Sequence, residues 1–63
     1  MDIDVINNHL AKLRNDILIK RTQIMVARNP TESERLQIML KKKEFQLEIE
    51  EIKKKIAQLS SPT

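Results

Sequence analysis

The chain has 63 residues, with no cysteine, no glycine and a single aromatic, Phe45. These absences exclude disulfides, thiolate metal sites, thiol nucleophiles and glycine-rich phosphate loops. One third of the residues are charged and 40% are hydrophobic, a composition typical of long helices and coiled coils. Twelve Lys and Arg stand against nine Asp and Glu, a mild net charge of +3.

In chain order, the acidic start Met-Asp-Ile-Asp-Val is unlike the basic opening of a secretory signal. Asp2 or Asp4 can cap a first helix. That helix is expected over about residues 3–28. Asn29-Pro30-Thr31 breaks the pattern, because proline lacks an amide proton and disfavours helix at the residue before it. Thr31-Glu32-Ser33-Glu34 then has the form of a capping box, with Thr31 as cap. A second helix is expected over about residues 32–59, followed by a frayed tail at 60–63. Each helix would be about 40 Å long. No apolar run approaches the 20 or so residues needed to span a bilayer. The expectation is one domain of a soluble, cytoplasmic protein without membrane insertion.

Both segments carry heptad spacing. In the first, Ile3, Ile6, Leu10, Leu13, Ile17, Lys20, Ile24 and Ala27 alternate steps of three and four. In the second, Arg35, Ile38, Lys42, Phe45, Ile49, Ile52, Ile56 and Leu59 do the same. Folding the chain back at Pro30 sets these two rows in register, with Ile3 beside Leu59, Leu13 beside Ile49 and Ile17 beside Phe45. The fold class expected is therefore all-α, an antiparallel helical hairpin of coiled-coil type. A bent parallel coiled-coil dimer is the alternative.

More apolar surface exists than one seam can use. Ala11, Leu18 and Met25, with Val5, Ile19 and Val26, lie opposite the first row. Leu36, Leu40 and Leu47, with Met39, lie off the second. A helix that is apolar on two faces expects two neighbours. Burying a Leu or Ile side chain contributes about 1.5–3 kcal/mol, so leaving such a surface wet forfeits on the order of 10 kcal/mol. The chain is expected to associate, most simply as a homodimer forming a four-helix bundle, through Leu18, Met25, Val26, Leu36, Leu40 and Leu47. A larger bundle or another protein would satisfy the same surface.

Charged residues supply the remaining candidates. Lys20 and Lys42 fall in one layer of the expected seam. There they could extend to water, penalise shifted registers, or receive an anion. Arg14, Arg21 and Arg28 recur every seven residues. They could track a phosphate backbone, or pair with glutamates such as Glu44, Glu48 and Glu51 on a neighbouring helix. Phe45 lies at a seam position, so no aromatic platform for bases is expected. Lys41–Lys43 and Lys53–Lys55 read as solvated faces, supported by Glu50–Lys54 and Glu51–Lys55 pairs. His9 stands alone, without a nucleophile or orienting group to make it catalytic.

In length and plan the expected hairpin resembles the small RNA-binding helical-hairpin dimers of the Rop type, although no residue signature connects them. The leading expectation is a non-enzymatic interaction protein that self-associates and binds another macromolecule as adaptor, regulator or assembly subunit. No cofactor, metal or small-molecule substrate is expected. The second reading is a nucleic-acid-binding regulator that contacts an RNA or DNA backbone through Arg14, Lys20, Arg21, Arg28 and Lys42. A third is a coiled-coil piece of a larger assembly.

Overall fold

A computed structural model describes residues 2–60 as two α-helices packed against each other in a hairpin. Helix α1 spans Ile3–Val26 and α2 spans Pro30–Ser60. The Cα trace measures 52 × 14 × 11 Å, a rod two helices wide. The expected tail at 61–63 lies outside the described residues, and Ser60 belongs to α2.

Helix α1 begins where a carboxylate can satisfy its free amides. Asp2 is the N-cap, with extended backbone, and its Oδ1 accepts a 2.9 Å bond from the amide of Asp4. The helix ends at Val26, two residues before the expected limit, and the extended backbone of Ala27 carries the chain outward. The cap of α2 differs from expectation. Asn29, not Thr31, holds its N-terminus: Asn29 Oδ1 accepts a 2.7 Å bond from the Glu32 amide. The Asn29 carbonyl accepts from the Ser33 amide at 3.1 Å. Pro30 is thus the first helical residue rather than part of the turn. It suits that position because an amide there would have no helical partner, and its fixed φ already matches the helix.

On α1 the seam lies where heptad spacing puts it. Ile6, Leu10 and Ile17 are buried, and Ile3, Leu13, Lys20, Ile24 and Ala27 are half-buried. On α2 the seam is two residues earlier than expected. The half-buried row runs Ser33, Leu36, Leu40, Lys43, Leu47, Glu50 and Lys54 and ends at the buried Ala57. Ile6, Leu10 and Ala57 form the innermost cluster, with Ile3 and Leu47 packed against it. The two rows set Ile3 level with Ala57, Leu13 with Leu47, Lys20 with Leu40 and Ile24 with Leu36.

The row expected to face α1 instead faces away from it. Ile38, Phe45, Ile49, Ile52 and Ile56 are 52–59% exposed, and Leu59 is 87% exposed. Two residues along an α-helix are a turn of about 200°, so a shift of two exchanges inner and outer faces. Both rows of α2 have the same spacing, and periodicity alone cannot choose between them. Charge distinguishes them. In the observed register Arg14 reaches Glu51 and Arg21 reaches Glu44. In the expected register the same flanking positions would set Arg14 toward Lys53 and Arg21 toward Gln46.

Candidate interaction surface

Among the described residues three ion pairs cross between the helices, and a histidine–carboxylate contact adds a fourth link. Arg14 and Glu51 approach to 3.7 Å, and Arg21 and Glu44 to 3.4 Å, on one flank of the seam. The Arg21–Glu44 contact is itself a hydrogen bond, with Nη2 donating to Glu44 Oε2. The third pair is Lys43 with Asp16 at 3.5 Å; His9 Nδ1 lies 4.0 Å from Glu50, a contact that is ionic only when the imidazole is protonated. The arginine side chains are 60% exposed, so water screens them and each pair contributes under about 1 kcal/mol. What these pairs supply is discrimination between registers.

The arginine line is therefore engaged within the hairpin at two of its three positions, with two of the glutamates named as counterparts from sequence. Arg28 lies exposed in the three-residue connector between the helices, off the end of α1. Lys20 is half-buried and its Nζ donates to Gln23 Oε1 at 3.3 Å. Lys42 is exposed on the outer face of α2, so the two lysines do not share a layer and no anion site forms between them. Leu40 occupies the place opposite Lys20. Asp16, one turn from Lys20, pairs across the seam with Lys43.

The glutamate pairs within α2 also differ from expectation. Glu50 pairs with Lys53 at 3.1 Å rather than with Lys54, and Glu51 turns to Arg14 rather than to Lys55. An open groove of about 470 Å³ runs beside this region, lined by His9, Lys12, Leu13, Asp16, Ile49 and Glu50 among others. Among the described residues no three acidic or histidine side chains converge as a metal site requires.

The apolar candidates divide by helix. Leu18, Met25 and Val26 are 62%, 84% and 70% exposed, on the outer side of α1 as expected. Leu36, Leu40 and Leu47 are half-buried on the inner side of α2, because the seam takes them. They are corrected from an outward surface to part of the helix–helix contact. The outward surface of α2 is instead Ile38, Phe45, Ile49, Ile52, Ile56 and Leu59, with Met39 at its edge. Sequence reasoning found this row and its spacing but assigned it to the opposite face. The signal that could have corrected it was the match of Arg14 and Arg21 to Glu51 and Glu44.

No helix among the described residues is long and apolar enough to cross a membrane. Compared with known proteins, the chain matches no family model, no curated protein sequence and no solved structure.

Proposed function

We propose that this chain is a non-enzymatic helical interaction protein that self-associates through the outer face of α2, two hairpins forming a four-helix assembly. One observation carries the reading: six large apolar side chains at heptad spacing, each more than half exposed, run along the outside of α2. Scattered exposed leucines are ordinary, but an apolar row of this length, interrupted only by Lys42, marks a contact surface on a small chain.

Burial within one hairpin supports the same conclusion. Only Ile6, Leu10, Ile17 and Ala57 are buried among the described residues. That is a slender core for a 63-residue chain with no disulfide to constrain it. Removing the outer row from water adds the apolar burial that a lone hairpin lacks. In this reading the protein works by presenting the charged flanks of the assembled helices to another macromolecule, as an adaptor, regulator or assembly subunit. Leu18, Met25 and Val26 on α1 offer a second contact, available when the α2 face is already occupied.

Sedimentation equilibrium between about 1 and 100 µM tests the reading, since interfaces of this class bind in that range or tighter. A dimer or higher species that dissociates on dilution, with helicity falling alongside, is the expected result. A folded, helical monomer throughout the range would overturn it.

A further inference from the structure

Resting on that association, we propose that the outer row of α2 docks on the same row of a second copy, antiparallel, across a two-fold axis at the level of Leu47. The exposed area is of the right size. A compact protein of 7.4 kDa exposes about 4,200 Å², whereas this hairpin exposes 5203 Å². The excess is comparable to the roughly 800 Å² that each partner of a stable complex covers.

Charge selects the arrangement. One edge of the apolar row carries Glu34, Lys41, Glu48 and Lys55, seven residues apart and alternating in sign. All four are exposed, and none takes part in an ion pair among the described residues. With the axis at Leu47, Glu34 comes within reach of Lys55 of the second copy and Lys41 within reach of Glu48 of the second copy, each pair five residues out of level, the offset at which Arg14 meets Glu51 across the hairpin. Symmetry repeats each pair, giving four attractive contacts. In the same register Phe45 packs beside Ile49 of the second copy and Ile38 beside Ile56 of the second copy. Lys42 and Arg35 lay their stems along Ile52 and Leu59 of the second copy, their charged ends reaching water.

Sliding one copy by seven residues in either direction keeps the apolar row in contact but makes the edge charges repel. One slide brings Glu48 against itself and Lys41 against Lys55; the other brings Lys41 against itself and Glu34 against Glu48. A parallel pairing aligns Glu48 with Lys53, Lys41 with Gln46 and Glu34 with Met39, leaving one attractive contact type. Apolar spacing therefore tolerates several registers, and the alternating edge distinguishes one of them.

Two charge variants test the register. K41E/K55E makes the edge wholly acidic, and E34K/E48K makes it wholly basic. Each variant alone is expected to dimerise at least tenfold more weakly than the unmodified chain, and an equal mixture should regain the unmodified affinity as a heterodimer. Recovery on mixing also shows that both variants fold. Cysteine pairing gives an independent readout, since the chain has no cysteine of its own. E34C and K55C chains should be joined to each other by a short bifunctional maleimide, which spans the few residues by which the two positions are out of level. Neither should cross-link with itself, because in the antiparallel pair residue 34 lies about 39 Å, and residue 55 about 24 Å, from its own counterpart. Unmodified dimers with charge variants that associate equally well, or with E34C chains that cross-link to one another, would overturn the register while leaving self-association standing. A monomeric unmodified chain would overturn both.

Discussion

Replacing Ile49 with alanine separates the two faces of α2. Ile49 is 52% exposed in the hairpin, so about half of its side chain remains to be covered on association. Covering that half contributes about 0.8–1.5 kcal/mol in each copy, from the 1.5–3 kcal/mol of a fully buried isoleucine. A symmetric contact uses the residue twice, so Ile49→Ala should cost the dimer about 1.5–3 kcal/mol and raise Kd by roughly 10- to 150-fold. The single hairpin should suffer little, because Ile49 borders the open groove beside α1 without joining the buried cluster, and alanine is the better helix former. Sedimentation equilibrium reads the first effect, and circular dichroism at a concentration below dissociation reads the second. A Kd unchanged within about threefold, or a variant monomer less helical than the unmodified monomer at the same concentration, would refute the assignment of Ile49 to an outer contact face.

Leu10 is the contrasting position. At 1% exposure in the innermost cluster, its change to alanine should remove about 2–5 kcal/mol. A chain of this size has only about 3–9 kcal/mol in total, so thermal denaturation should show it largely unfolded. Asn29→Ala removes the cap of α2 and should cost about 0.5–2 kcal/mol by chemical denaturation, whereas Thr31→Ala should cost less, since Thr31 is not the cap. Arg21→Ala breaks an exposed ion pair with Glu44. It should shift stability by under about 1 kcal/mol, with the difference shrinking further in 0.5 M salt on the order of the usual screening. A larger or salt-insensitive loss would mean that Arg21 holds the hairpin by packing rather than by charge.

Most of the hairpin was legible before any coordinates. The absence of glycine and cysteine, the steps of three and four, and the break at Pro30 point to two helices folded back on each other. The inner row of α1, from Ile3 to Ile24 and on to Ala27 in the connector, follows from periodicity because only that row keeps steps of three and four along the whole helix. Helix ends were less legible, since Asn29 and Thr31 are both acceptable caps and the choice depends on where the chain leaves α1. With Asn29 as cap, Pro30 falls at the first helical position, where its missing amide costs nothing.

The face of α2 that meets α1 was decided only in three dimensions. That helix carries two heptad rows offset by two residues, one richer in isoleucine and one with leucine, alanine and paired charges. Hydrophobicity favours the first row, and spacing is the same for both. The observed choice brings together partners distant in sequence: Arg14 with Glu51, Arg21 with Glu44, and Asp16 with Lys43. A linear pattern records which residues share a face of their own helix. Which face is turned inward depends on the neighbour across the seam, and here that neighbour leaves the more apolar row outside.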